Sequence, residues 1–561
     1  NQKTYTEAEQ TAMAQKLRAA IDGLHAADTT ALSELVSRAK ALDGSKYSAT
    51  SYQAVTDAIA AAEMLLADSS ATQEQVDEQA AALQTAIDAL QLDVDENGWD
   101  GVTVKEPQVS SSGSVDITCA EELAWLAQQV NSGKTFSLVN LESDIDLNNR
   151  AWTAIGTKDN PFTAEFYGWG HTVSGLNISA DADYQGLFGY VKGTDSENAI
   201  ISDLTVDGFI NTKASDVGGV VGYAQYTKLE NLTSHVTIAV ERKSNNDTIG
   251  VVGGIVGELI RGNITHCVNT GDITAEKQEK VGGVAGYVST ANITKSGNSG
   301  KIVCGGYSGG VAGLYAVSSG AKTKTIVNCY NTGDVVSTGT QVGGIVGQCN
   351  SFTKEDNTML MISYVYNTGT VSGQSAMGGI AGSFTGSIMY YVNRAYNAGT
   401  VNASGTSNIG ALVGNLGDGM MFYSYALENS AEELCVKGSG ALVSSSAFQT
   451  EDWFKSDAFF ASMDSKGEYF AEDTESMNGG YPVLLFQLDD LLQQTKADAI
   501  AELAAYKTAI KVCPGRRSSR LRRLLLPPSP MQPLPERWRS CWHRLRLIWT
   551  LSPTMPTMGL M

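Results

Sequence analysis

Apolar positions in this chain fall into short β-branched runs closed by glycine, and one such run returns seven times between residues 218 and 414. It reads Gly-Gly-Val-Val-Gly at 218–222 and Gly-Gly-Ile-Val-Gly at 253–257, and it varies little afterwards. The glycine pairs are Gly218 and Gly219, Gly253 and Gly254, Gly282 and Gly283, Gly309 and Gly310, Gly343 and Gly344, and Gly378 and Gly379, with a decayed seventh at 410–411. An asparagine is interleaved with them, at Asn269, Asn298, Asn331, Asn367 and Asn397. From each asparagine to the next pair the spacing is 13, 11, 12, 11 and 13 residues, whereas from pair to asparagine it is 16, 16, 22, 24 and 19. Half of the repeat is therefore fixed and half absorbs insertions. Self-similarity at a period near thirty marks a solenoid, whose units bury their apolar faces against their neighbours. Short β-branched runs bounded by Gly and Asn read as strands and turns rather than helices. The expected fold is a right-handed parallel β-helix with one repeat per coil. The glycines are expected at a corner where a side chain would clash or φ must be positive. The asparagines are expected to stack as an amide ladder at about 4.8 Å per coil, with the insertions forming loops on one face.

Other stretches follow the helical period. Val76, Ala80, Leu83, Ile87 and Leu90 recur at three and four residues, one face of a helix. Residues 6–24 align with 72–90 at an offset of 66. Residues 26–92 thus read as a three-helix module and 1–25 as the last helix of a preceding copy. Pro107 and a serine run give 93–115 the composition of a linker. The β-helix extends over 116–488, and its last part, with Trp453, Phe454, Phe459 and Phe460, is expected to cap the open end. Residues 489–512 return to the helical period, as the start of a further module. The whole is α+β and multidomain, a parallel β-helix with flanking three-helix-bundle modules.

These residues also carry a resemblance. The glycine pentad and the phrase Cys-Tyr-Asn-Thr-Gly-Asp at 329–334 resemble the GLUG motif of bacterial surface proteins, including immunoglobulin A1 proteases. The phrases Asp-Ile-Asp-Leu at 144–147, Trp-Thr-Ala-Ile-Gly at 152–156 and Phe-Tyr-Gly-Trp-Gly-His-Thr-Val at 166–173 resemble the segment that precedes such repeats. Tyr47-Ser-Ala-Thr-Ser-Tyr, with Ala-Leu-Gln-Thr-Ala-Ile-Asp-Ala-Leu at 82–90, is similar to the FIVAR module of surface proteins and secreted glycosidases. The resemblance implies a secreted or wall-attached extracellular protein, and is specific for architecture rather than activity.

Charge narrows the partners. A net charge of −21 argues against nucleic acid and against an anionic membrane surface. No run of 18 apolar residues would span a bilayer. Eight cysteines in 561 residues are no disulfide framework, and Cys267 and Cys329, at one repeat position, read as buried filler. Residues 513–561 depart from everything before them, with nine Arg, one Glu and eight of the eleven Pro. That tail is expected to be an out-of-frame reading of GC-rich DNA and is given no function.

Catalytic signals are weak. Gly306-Tyr307-Ser308-Gly309-Gly310 matches the nucleophile-elbow pattern, but other repeats carry Val217, Val252, Val281, Val342, Met377 and Ile409 where Ser308 falls, a core position. There is no His-Glu-x-x-His, and the five histidines lack ligand spacing. His171 is expected to be structural. Asp144 and Asp146 share a strand face and could serve glycoside hydrolysis or hold Ca²⁺, although turn and cap hydrogen bonds are the preferred reading. No catalytic residue, metal or cofactor is assigned.

Tyr330, Tyr366 and Tyr396 each precede a repeat asparagine, so three coils would stack Tyr on Tyr. Facing solvent, the rings would form a flat strip for a pyranose ring. Facing inward, they would be a stabilising ladder. The expected function is non-catalytic binding or adhesion to a host or microbial surface ligand, a neutral glycan in chemistry, by a monomer. The alternative is a carbohydrate-active β-helix (glycoside hydrolase or polysaccharide lyase), or an accessory region of a larger secreted glycan-degrading enzyme or protease.

Overall fold

The computed structural model describes residues 27–492 apart from 41, 43, 45–46, 69, 92–97, 196, 242–249, 277–278, 318–322, 352–357 and 387, together with Met13 and Thr495. The helix expected at 1–25 (Met13 apart), most of the module expected at 489–512 and the tail at 513–561 lie outside the described residues. The chain divides into two compact units: Asn1–Asn263, Cys267–Glu279 and Ala285–Tyr287 form the first, and Ile264–His266, Lys280–Val284 and Val288–Met561 the second. Both are dominated by parallel strand pairs, and the architecture is α+β and β-helix-like.

Among the described residues the first unit has three helices ahead of its strands, α1 (Thr30–Lys40), α2 (Ala49–Leu66) and α3 (Gln73–Asp88). Their starts are written locally. The Ser48 side chain accepts the Ser51 N–H ahead of α2, and Thr72 with Gln75 forms a reciprocal capping box ahead of α3. The helices share a core of Leu32, Leu35, Val36, Val55, Ala62, Val76 and Leu83, each larger aliphatic side chain contributing about 1.5–3 kcal/mol by burial. Next, strand Ser114–Ile117 pairs with Leu138–Leu141, and α4 (Ala120–Asn131), lying between them in sequence, buries Leu123, Trp125, Leu126 and Val130. Leu138–Leu141, Glu165–Ile178, Ala199–Thr212 and Val221–Ser234 then stack in parallel. Period-two alternation sends Val115, Val139, Phe166, Ile201 and Leu229 into the core as one register column. The alternate column is Asp116, Asn140, Tyr167, Ser202 and Glu230. Within this unit Gly218 stands opposite Gly253.

In the second unit the first glycines of successive pairs align, Gly282 with Gly309, Gly343, Gly378 and Gly410. These glycines are there for space. A Cβ on Gly309 would lie 2.2 Å from the Ala312 carbonyl oxygen. A Cβ on Gly310 would lie 2.2 Å from Cγ of Asn331, and the same collision joins Gly283 to Asn298, Gly344 to Asn367 and Gly379 to Asn397 at 2.1–2.3 Å. The second glycine of each pair thus makes room for the repeat asparagine. None of these glycines has a positive φ, which corrects half of the expectation. One corner does take positive φ, on non-glycine residues: His266, Lys295, Asn328, Tyr364, Arg394, Tyr423 and Ser445 here, and Trp169, Asp203 and Asn231 in the first unit. The asparagines form the expected ladder. Asn298 Nδ2 donates to Asn331 Oδ1 at 2.8 Å, Asn331 to Asn367 at 2.7 Å and Asn367 to Asn397 at 2.8 Å. Each also donates to the carbonyl two residues ahead in its own turn, and all are fully buried.

Candidate functional site

The three tyrosines are in register and stacked, as the spacing implies. Tyr330 pairs with Tyr366 and Tyr366 with Tyr396, with ring centroids 5.6 and 5.1 Å apart and planes 19° and 8° from parallel. They are not an open strip. The helical turns Glu451–Phe454 and Asp457–Met463 and the residues after them return along this flank. Phe454, Phe459, Met463, Phe470, Leu484 and Phe486 form one cluster with Tyr330, Tyr366, Tyr396 and Tyr425. Tyr366 Oη donates to Gln487 Oε1 at 3.0 Å, Tyr396 Oη to the Pro482 carbonyl, and Thr368 Oγ1 to Asn478 Oδ1 at 2.7 Å. His266 Nε2 lies 2.7 Å from Asp490 Oδ2 and fastens the far end. Burial pushes the Tyr330 hydroxyl up to about 12 and raises those of Tyr366 and Tyr396 as well. Two expectations change together. The 450–487 segment roofs the tyrosine flank and reaches Tyr425 and Ala447 of the last coils, while Leu442 stays 46% exposed. The rings it covers are a buried ladder, because sealing them from water stabilises more than leaving three aromatic faces wet.

The first unit displays an aromatic that the repeat spacing does not predict. Between the paired positions Tyr167/Ser202 and His171/Leu204, one strand takes four residue steps and its partner takes two. The two extra residues make a bulge, Gly168-Trp169-Gly170, whose single side chain is an indole. A Cβ on Gly168 would strike the Asp203 carbonyl oxygen at 2.3 Å, whereas Gly170, at φ +83°, faces open space. Trp169 has φ +53° and is 64% exposed. Its Nε1–H donates to Asn140 Oδ1 at 3.1 Å, and Asn140 Nδ2 donates to Asp116 Oδ1 at 2.8 Å. The Tyr167 ring lies beside it, 5.7 Å away and tilted 37°, with its hydroxyl donating to Glu165 Oε2 at 3.1 Å.

The remaining candidates hold structure. Asp144 Oδ1 accepts the Thr172 N–H at 2.9 Å and faces His171 Nδ1 at 3.2 Å; the backbone hydrogen bond, with the imidazole beside it, lowers this carboxyl below its ordinary range. Asp146 Oδ1 accepts the Asn148 N–H at 2.7 Å, a turn bond. Ser308 is fully buried in register between Val281 and Val342. Cys267 and Cys329 are buried free thiols. Among the described residues, no group of three or more His, Cys, Asp or Glu side chains could hold a metal ion, and no helix is long and apolar enough to cross a membrane. The only signal for the Trp169 bulge in the sequence is the pair of glycines flanking a large aromatic.

No family model matches the chain. Among curated proteins it is similar to halomucin of Haloquadratum walsbyi, 29% identical over 182 residues that make up 31% of this chain. Those residues span 2% of the length of that relative. Among solved structures it is similar, at 16% identity and a TM-score of 0.32, to a "putative immunoglobulin A1 protease" from Bacteroides ovatus, the match covering 68% of this chain and 95% of the other.

Proposed function

We propose that the chain is a non-catalytic binding region of an extracellular, surface-associated bacterial protein, in which the β-helix, through the coils that lead into its GLUG-type repeats, presents a face to neutral glycans and α1–α3 act as a FIVAR-type spacer. The observation that carries this reading is the outward polar and aromatic column Asp116, Asn140, Tyr167 and Glu230 with Trp169 standing over it. A parallel coil repeats such positions at about 4.8 Å, so an extended ligand along the stack meets Asp116, Asn140 and Tyr167 on successive coils and Glu230 beyond the buried Ser202. Hydrogen-bonding groups beside an aromatic surface suit sugar hydroxyls and C–H faces. The acidic balance disfavours sulfated or uronic chains. The likeness to halomucin supports the extracellular placement. The test is the full chain, fluorescently labelled, on an array of neutral, sulfated and sialylated glycans, with reducing ends assayed in parallel. Retention on neutral glycans without new reducing ends is expected. Cleavage would establish the carbohydrate-active alternative, and retention only on sulfated chains would refute the charge argument.

A further inference from the structure

Two features of the Gly168-Trp169-Gly170 bulge have no counterpart in the needs of the fold. It lengthens one corner by two residues that the paired coil does without. And it leaves the indole at that corner 64% exposed. The left-handed backbone itself belongs to the corner, which other turns fill with Asp203, Asn231, Tyr364 and Tyr423. An insertion that displays an indole to water is uphill for folding alone, and exposed aromatic surface of this kind marks where a ligand is met.

The surroundings say which ligand. The indole N–H is already engaged by Asn140, which Asp116 holds in turn, so the ring is fixed in orientation and offers its π-face rather than its donor. The Tyr167 ring lies 5.7 Å from it, tilted by 37°, and adds a second aromatic surface at the same place. A cation would call for several rings that box it in; two rings tilted by 37° form no such cage and suit a flat ring. The polar groups in reach of the platform, Asp116, Glu165 and Glu230, accept hydrogen bonds when ionised. From Asp116 to Glu230 the column crosses five strands, about 19 Å at about 4.8 Å per step, the reach of roughly four sugar units.

We infer that Trp169 is the stacking platform of a neutral pyranose subsite, its indole meeting the C–H face of one sugar while Asp116, Glu165 and Glu230 accept hydroxyl hydrogen bonds from that sugar and its neighbours. The inference rests on the glycan-binding function proposed above and locates it. The experiment is calorimetric titration of the full chain with neutral tetrasaccharides (β-1,4-glucose, β-1,4-xylose, α-1,4-glucose, α-1,6-mannose), alongside Trp169→Asn and Trp169→Phe. Trp169→Asn should weaken binding about tenfold or more and also raise the melting temperature by about 1–2 °C, since Asn accepts φ +53° at less cost. Trp169→Phe should keep binding within a few-fold. Undiminished binding by Trp169→Asn places the glycan elsewhere and overturns the site while sparing the general function. A fall in melting temperature of several degrees makes the indole a structural residue and also overturns it. Response to tetramethylammonium and to none of the sugars replaces the pyranose with a cation. Silence of the wild type toward all four sugars, with a dark array, removes the site and the glycan reading together.

Discussion

In the second unit, Tyr330, Tyr366 and Tyr396 stack two residues beyond the left-handed corner positions Asn328, Tyr364 and Arg394, and the chain comes back to cover them. In the first unit the equivalent face beyond the corner carries Thr172, Thr205 and Thr233. There the aromatic residue sits at the corner itself, and Trp169 is left in water. The same turn geometry therefore supports two outcomes. A column of large rings on a flat strand face is a ready seat for a returning segment, because every coil adds about 100–200 Å² of aromatic surface to seal. A lone indole on a bulge offers no continuous seat, and its cost is small enough for a folded chain to carry. Burial or display is decided by the neighbours of the ring rather than by the ring.

The largest way to break this contrast is alkali. The tyrosine hydroxyls under the roof titrate above their unfolded value of about 10, so the unfolded chain loses its protons first and stability falls as pH rises past 10, toward about 12 for Tyr330. For three such rings the loss by pH 11 is about 4 kcal/mol. Tyrosinate absorbance should rise cooperatively with loss of circular dichroism; ionisation without unfolding would mean that the rings are open. Tyr366→Ala comes next. It removes a fully buried ring stacked on both sides and should cost about 3–5 kcal/mol, with early proteolytic cleavage within 450–487. A melting temperature unmoved by this change would make the roof incidental. Asn367→Ala leaves partners of three buried hydrogen bonds unmet and should cost about 2–3 kcal/mol, read in urea. Tyr366→Phe removes only the hydroxyl, and because Gln487 Oε1 keeps the Leu484 N–H at 2.8 Å, the expected loss is about 1 kcal/mol. A loss as large as that of the alanine variant would assign the roof's hold to hydrogen bonding rather than to ring packing.

Much of this was legible in the chain itself. The glycine pairs and asparagines announced parallel coils, and the tyrosine spacing announced the stack, because a solenoid turns sequence period into spatial register. What could not be read was which side of the stack would be covered. Residues 450–487 do not repeat, and their partners Tyr330, Tyr366 and Tyr396 lie many tens of residues away, beyond any periodic signal. The corner was hidden for another reason. Its left-handed residues include His266, Lys295, Tyr364 and Arg394, types with no preference for that conformation, so packing imposes it and composition does not reveal it. The Trp169 bulge lies inside the phrase that holds His171, a residue expected to be structural, and only the register offset against Ser202 and Leu204 separates the two roles.

The contact between the second glycine of each pair and the asparagine of the same turn has a consequence for how such a protein changes over generations. In the second unit the residue numbers separating the first glycine from that asparagine are 16, 22, 24 and 19, yet each turn closes on the same Gly–Asn contact at 2.1–2.3 Å for an added Cβ. Closure is thus indifferent to what lies between. A gene can lengthen, shorten or replace the intervening segment one coil at a time without disturbing the register above or below, since long surface loops add little entropic cost. The amide ladder extends the same freedom to whole turns, because every asparagine gives to the next the bond that it receives from the last. A coil deleted or duplicated as a block leaves the hydrogen-bond chain intact, so inheritance can alter the reach and outer decoration of the stack while its interior stays the same.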